Sequence, residues 1–495
     1  MKLSTQLDVD LVAVENDDEV TVLVELVAPS PTTNLTRQPA TVQVVLDRSG
    51  SMAGDSLEHA KRALLELVDR LDPTDNFGVV AFDDTVRIVV PAGPLTNKAH
   101  AKHAIANVDA GGSTDLSAGY LRGLQEVQRV VGAAGATVLL VSDGHANAGV
   151  TDHATLGGVA TTAANSGVTT STIGMGLGYD EQLLAAIATG GRGNEHFAEE
   201  ADTAAAVIAG EVDGLLTQVA QACSLQVTLA PEVKGAVLLN QLPAVGLKDG
   251  FIVELGSFYA GETRRLVIRL ALPGLAALGL HQVATLTLTH VSLPDLLQHT
   301  ATMPVTVNVV PGDQAAGRIP APQVTTEALF QEAQRTKKDA ADLLAEGRTT
   351  EARTLLDQTS LRLNVASADL APPMAAGLLD EIRVLDALAE ESSYDALRTS
   401  KALSSNAGRK SRTSGRASGG AQLQLLAHDG RELVLERWEL TRLERVSPAA
   451  AQLKPGAVLD AKDVGLIAWE LGEDHPLHGF FFDSVSCNGL TVARA

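Results

Sequence analysis

Apolar and polar residues alternate over the first forty positions. Leu7, Val9, Leu11 and Ala13 mark one candidate strand, and Val20, Val22, Val24 and Leu26 mark another. Period two with a polar opposite face predicts antiparallel sheet. From 41 to about 222 the rhythm changes. Short apolar runs over 42–46, 77–82, 86–90, 137–142, 168–173 and 194–198 alternate with stretches of helical spacing over 56–71, 98–108, 116–131, 154–166, 180–189 and 203–223. In the first of these, Leu57, Ala60, Leu64, Val68 and Leu71 fall on one face. Strand–helix alternation predicts right-handed βαβ crossovers and a doubly wound, mostly parallel sheet, an α/β domain over 41–222. Asp83-Asp84-Thr85 is too short for a crossover and predicts a hairpin, so one edge strand runs antiparallel. Alternation returns over 223–312. The economical arrangement is one discontinuous antiparallel β-sandwich, 1–40 plus 223–312, with the α/β domain inserted in it.

After a linker (313–324), Leu329, Ala333, Ala340 and Leu343, then Leu355, Leu356 and Leu363, then Leu379, Ile382, Leu385 and Leu388 trace apolar faces. Short connections between them predict an antiparallel three-helix bundle over 325–403, its last helix running from 374 to 403. Residues 404–420, rich in Ser, Gly and Arg, predict a flexible tether. Residues 421–495 predict a small β-rich module. Its evidence is an Asp429-Gly430 hairpin signal, with further strands expected at 468–471 and 479–482.

The length of 495 residues is room for two to four domains. A formal charge of −22 argues against nucleic acid and anionic membrane surfaces as partners, because both require a basic face. Two cysteines make no disulfide framework and fit a reducing compartment. The opening MKLSTQLDVDLVAVENDD lacks a basic region followed by an apolar one, and no run of about 18 apolar residues occurs. The expectation is a cytoplasmic protein with no membrane span.

Candidate chemistry begins where the first parallel strand ends. Asp47, Ser49 and Ser51 carry oxygen at alternate positions in Asp47-Arg48-Ser49-Gly50-Ser51-Met52. A loop leaving a strand end can point such residues at one place. Asp143 follows the strand over 137–142. Between them, Gly111-Gly112-Ser113-Thr114-Asp115 leads into a helix and presents Thr114. In a doubly wound sheet all three loops meet at the carboxyl edge. Convergent hard oxygen donors suit Mg²⁺, Mn²⁺ or Ca²⁺ and not zinc or copper.

The combination of DRSGSM (47–52), GGSTD (111–115) and SDGHAN (142–147) resembles the von Willebrand factor A domain with its metal-ion-dependent adhesion site. Supporting matches are LDPTD (71–75), Phe82 and TIGMG (172–176). The resemblance implies that Asp47, Ser49, Ser51, Thr114 and Asp143 hold the ion, some directly and some through water. Two carboxylates balance a divalent charge and three hydroxyls are neutral, so an octahedral Mg²⁺ stays electrophilic and keeps a position for a foreign ligand. An Asp or Glu carboxylate of a partner protein suits that position, and the resemblance implies the same. It further implies motion of the last helix, expected near 203–223, on ligation. The expected function is a divalent-metal-dependent protein-binding scaffold without catalytic residues. The alternative is an adaptor subunit of an AAA+ (MoxR-type) ATPase that remodels proteins or inserts metal. A hydrolase is disfavoured because a single open metal has no evident general base beside it. His145 is expected on the rim of the site, and His475, His478 and Cys487 fit no zinc spacing.

Overall fold

A computed structural model describes residues 1–30, 38–132, 134–198, 207–208, 211, 217–368, 370, 372–412, 423–428, 431–435, 443, 447–453, 457–471, 478–486 and 489–494. Two compact units are present: Met1–Ala204 with Val212–Arg416, and Ala205–Glu211 with Ala417–Ala495.

In the first unit, strands β1 (Lys2–Leu7), β2 (Leu11–Ala13) and β3 (Asp18–Val27) precede the α/β domain. That domain contains β4 (Thr41–Asp47), α1 (Asp55–Arg70), β5 (Asn76–Phe82), β6 (Val86–Pro94), α2 (Lys98–Ala106), α3 (Leu116–Gln128), β7 (Ala136–Ser142), α4 (His153–Asn165), β8 (Val168–Met175), α5 (Glu181–Gly190) and β9 (Arg192–Ala198). Its sheet runs β6-β5-β4-β7-β8-β9. Only β6 is antiparallel to its neighbour, because the Asp83–Thr85 turn is too tight for a crossover. Every residue of β4 and β7 is buried, so both sheet faces are covered. On one face Val45, Val138 and Leu140 pack with Tyr120, Leu124, Leu156 and Ile187 of α3, α4 and α5.

Close packing here depends on small residues. A Cβ on Gly119 of α3 would sit 2.4 Å from the Phe82 ring. Gly119→Ala is expected to destabilise by about 1–3 kcal/mol through overpacking. That overrides the roughly 1 kcal/mol that alanine gains over glycine inside a helix. Urea denaturation decides the sign, and a more stable variant would refute the packing account.

Strands β10 (Gln218–Leu229), β11 (Gly235–Leu238), β12 (Ala244–Leu247), β13 (Gly250–Tyr259), β14 (Thr263–Leu272), β15 (Gly279–Ser292) and β16 (Gln298–Val310) follow. They form sheets β1-β3-β14-β11 and β12-β13-β10-β15-β16-β2. Residues from both, including Val22, Val24, Leu225, Leu270, Leu286 and Val307, share one core. Chain segments on either side of the α/β domain thus fold together. The helix expected over 203–223 needs correction. Gln218–Cys223 begins β10, and a bulge at Ala222, whose φ is +49°, breaks the alternation that would have revealed a strand. Residues 203–206, 209–210 and 212–216 lie outside the described ones.

The linker expected over 313–324 opens with a one-turn helix, Gly312–Ala315, and four longer helices come next: α6 (Pro322–Ala345), α7 (Thr349–Ser367), α8 (Pro372–Glu391) and α9 (Ala396–Arg412). The stretch expected as one helix over 374–403 is two, since Asp395 accepts from Arg398 N (3.1 Å) and starts α9. The tether expected over 404–420 is helical as far as Arg412. Its polar residues meet buried polar partners: Asn406 accepts from Lys337 Nζ (2.6 Å), Lys410 Nζ donates to Glu381 (3.0 Å) and Ser411 donates to Gln331 (3.1 Å). Composition alone reads such a segment as solvated. Residues 413–420 lie outside the described ones.

The second unit holds a four-stranded sheet (Glu432–Leu435, Leu423–Ala427, Leu490–Arg494, Val458–Leu459, in that order) and helices α10 (Ala461–Leu471) and α11 (His478–Ser486). The strands expected at 468–471 and 479–482 are therefore helical. Val464, Ile467, Ala468 and Leu471 share a buried helix face, a pattern that a four-residue window cannot distinguish from a strand. Phe481 is in the core and Phe482 is exposed. Asp429, Gly430, His475 and Cys487 lie outside the described residues. Cys223 is a buried free thiol.

Candidate metal centre

Strands β4 and β7 are parallel neighbours, and β5 flanks β4 on its other side, so strand order reverses here. A crevice opens at the carboxyl ends of such strands. Asp47 closes β4, and Asp143 follows β7 directly. Asp47 Oδ1 accepts from Ser49 N (2.8 Å) and Oδ2 from Ser142 Oγ (2.6 Å). Ser49 Oγ and Ser51 Oγ are 3.1 Å apart, and Ser51 Oγ donates to Asp143 Oδ1 (2.7 Å). Thr114 N donates to Asn147 Oδ1 (2.9 Å), which ties the glycine-rich loop to the loop after β7. A Cβ built on Gly144 would lie 3.3 Å from Ser51 Oγ and 3.4 Å from Thr114 Oγ1. Glycine there leaves a cradle that both hydroxyls border. The structure therefore brings Asp47, Ser49, Ser51, Thr114 and Asp143 together, with all but Ser51 buried.

Neighbouring residues complete the arrangement. Arg48 pairs with Asp83 (2.7 Å) and donates to Asp109 O (3.1 Å), while its own carbonyl accepts from Gly111 N (2.8 Å). One side chain thus ties the loop after β4 to the β5–β6 turn and to the segment before α3. Gly112, at φ +55°, lets that segment lie against Asp83, where a Cβ would come within 2.9 Å. Ser142 and Asn147 lay inside the SDGHAN motif, and only their hydrogen bonds reveal their roles. Asp115 caps α3, accepting from Ala118 N (2.9 Å). His145 is exposed on the rim, 3.7 Å from Asp180.

Burial pushes the Asp143 carboxyl up to about 6, against the Ser51 hydrogen bond, and the charge of Asp47 adds to the rise. Burial likewise raises Asp47, against hydrogen bonds from Ser142 and Ser49. Two carboxylates held in a partly dry site at raised proton affinity are poised to take up positive charge. Hydroxyls and carboxylates without nitrogen or sulfur match a hard divalent cation. Among the described residues, no group of three or more His, Cys, Asp or Glu is placed to hold an ion.

This fold and this edge define an α/β domain with clustered oxygen donors at the carboxyl ends of its parallel strands. Residues 42–210 match the family model of the von Willebrand factor type A domain, and this part of the chain is such a domain. Such domains are typically protein-interaction scaffolds, and they commonly bind a divalent metal. The chain is 34% identical over 163 residues to the uncharacterized protein sll0103 of Synechocystis, covering 33% of this chain and 38% of that protein. It is 32% identical over 190 residues to the uncharacterized protein YfbK of Escherichia coli, covering 38% of this chain and 33% of that one. The match therefore spans little more than a third of these relatives. Among solved structures, it resembles a von Willebrand factor type A protein from Catenulispora acidiphila (TM-score 0.59, 17% identity, 75% of this chain and 91% of that one). It also resembles the ArnB paralog VWA2 from Sulfolobus acidocaldarius (TM-score 0.55, 14% identity, 83% and 98%). At these identities the likeness is one of fold. Among the described residues, no helix is long and apolar enough to cross a membrane.

Proposed function

We propose that Asp47, Ser49, Ser51, Thr114 and Asp143 hold one divalent cation, Mg²⁺ by preference with Mn²⁺ or Ca²⁺ as substitutes. A carboxylate of a partner protein completes the site, and the chain is a cation-dependent binding scaffold rather than an enzyme. The observation that carries this reading is the pair of buried carboxylates Asp47 and Asp143 at neighbouring strand ends, bridged by hydroxyls and pushed toward protonation. When bound, a divalent cation supplies an electrophilic position for an anionic oxygen. The chain's own residues prepare for it. Ser142 and Ser49 N fix the Asp47 carboxylate, Ser51 orients Asp143, and Asn147 sets the height of Thr114.

Calorimetric titration of the full chain is expected to find one Mn²⁺ site in the wild type and none in Asp47→Ala. Partner capture is expected in Mg²⁺ and not in EDTA, and not with Asp47→Ala under either condition. Capture that survives both chelation and the substitution refutes the proposal. Cation-dependent capture of an ATPase would select the adaptor form of this function.

A further inference from the structure

Helix α9 has two polar faces. One is locked into the bundle by Asn406, Lys410 and Ser411. The other lies on the α/β domain, where Lys401 is 2% exposed. Lys401 Nζ donates to Tyr179 O (2.6 Å), stands 4.0 Å over the Tyr179 ring and is 3.1 Å from Glu181 Oε2. Ser400 Oγ donates to Glu181 Oε1 (3.0 Å). One turn further along, Ser405 Oγ accepts from Phe197 N of β9 (3.2 Å).

Lys401 grips the turn over residues 176–180, and that turn backs the metal centre. A Cβ on Gly178 would meet Asp143 O at 2.9 Å. The Tyr179 ring fills the space beside Gly174, where a Cβ would come within 2.4 Å. Asp180 caps α5 through Leu183 N (3.0 Å) and faces His145, two residues beyond Asp143. The contacts run Lys401, Tyr179, Gly178, Asp143, and the first of them joins residues 222 positions apart in the chain. Taking an ammonium group out of water is costly until partners offset the lost hydration. A leucine or methionine would dock α9 without that cost. An ammonium instead fixes the direction of one carbonyl, Tyr179 O.

We propose that Lys401 is a positioning residue for the metal centre. By holding the 176–180 turn against Asp143, it lets the helical bundle set the cation affinity of the adhesion-type domain. This rests on the reading that Asp143 is a ligand, and deepens it by naming an intramolecular regulator.

The test uses the full chain and Mn²⁺ alone, at temperatures where circular dichroism shows each variant folded. Lys401→Met is expected to weaken Mn²⁺ binding about tenfold, the lower end of what outer-shell partners of metal ligands contribute. Lys401→Arg, which keeps the charge and donors, is expected to recover most of that loss. Ser405→Ala, which removes another contact of the same helix away from the turn, is expected to bind Mn²⁺ like the wild type. Coupling is reciprocal, so Mn²⁺ is expected to slow amide hydrogen exchange in the wild type over 396–412. That measurement needs no variant to fold. Wild-type affinity in a folded Lys401→Met, equal losses in Ser405→Ala and Lys401→Met, or unchanged exchange over 396–412 on Mn²⁺ saturation overturns the proposal. Failure of the underlying reading looks different: wild type and Asp47→Ala would then take up Mn²⁺ alike, or not at all.

Discussion

Asp143→Asn is expected to make the cation-free protein more stable at pH 7.5 and to abolish its stabilisation by Mg²⁺. The Asp143 carboxyl is raised to about 6 by burial, with Asp47 adding to the rise, whereas an unfolded chain presents it near the ordinary value of about 3.9. Above pH 6 the folded state carries an ionised group that it disfavours. That rise corresponds to at most about 3 kcal/mol, and partial solvent access reduces this to roughly 1–2 kcal/mol. Asparagine removes the charge while its amide oxygen can still accept from Ser51 Oγ. The pH dependence has a definite sign. Between about 4 and 6 the folded state binds more protons than the unfolded one, so this group makes wild-type stability fall as pH rises. In the cation-free wild type, the contribution is therefore most favourable below about pH 4 and is lost as pH passes 6. The asparagine variant lacks this dependence.

A cation relieves the same repulsion. At a hundred times its dissociation constant it adds about 2.7 kcal/mol to wild-type stability at pH 7.5. The gain shrinks toward pH 5.5 as protons compete for the same oxygens. Urea melts at pH 7.5 and 5.5, with and without Mg²⁺, read all of these effects. A Mg²⁺-dependent shift in Asp143→Asn equal to that of the wild type would remove Asp143 from the ligand set.

The cluster of oxygen donors was legible in sequence because the motifs that supply it are local. Strand ends present oxygen donors in DRSGSM and SDGHAN, and the α2–α3 loop brings GGSTD to the same carboxyl edge of the sheet. The sheet itself was legible from the change of period near residue 41. What escaped depends on partners far away. Arg48 sits inside the first motif, yet its role exists only once Asp83 and Asp109 O fold against it. Residues 404–412 look like a tether until the carboxylate and amides that receive them are known. At 218–223 repeated breaks in register hid a strand, and at 478–486 an aromatic run hid a helix. Periodicity reports which face is buried, so it fails where burial is polar or the backbone slips by one residue.

Polar burial also governs the second large effect. Glu381→Ala is expected to destabilise the first unit by about 3–5 kcal/mol, the range for removing one partner of a buried ion pair. Glu381 and Lys337 are both fully buried and paired, Lys410 Nζ approaches Glu381 to 3.0 Å, and Gln334 Nε2 donates to it (2.9 Å). Burial alone would raise the Glu381 carboxyl, but the two ammonium groups outweigh it and hold it down to about 2. Its stabilisation is therefore fully present above the ordinary value of 4.5 and is lost as pH falls from there toward 2. Alanine leaves Lys337 charged and dry against α9, with Asn406 as a neutral acceptor. The double variant Lys337→Met/Glu381→Leu is expected to recover most of the loss, because well-packed apolar side chains can replace a buried pair at little cost. The non-additivity is the measurement, read from urea midpoints of Lys337→Met, Glu381→Leu and the double variant. If the two single losses simply add, the pair is not coupled. Because Lys337 holds α9 through Asn406, Glu381→Ala is also expected to weaken Mn²⁺ binding where the protein remains folded. The double variant loses that anchor but keeps a packed helix, so its Mn²⁺ affinity tells whether Lys401 needs the register of α9 fixed by polar contacts or only its docking.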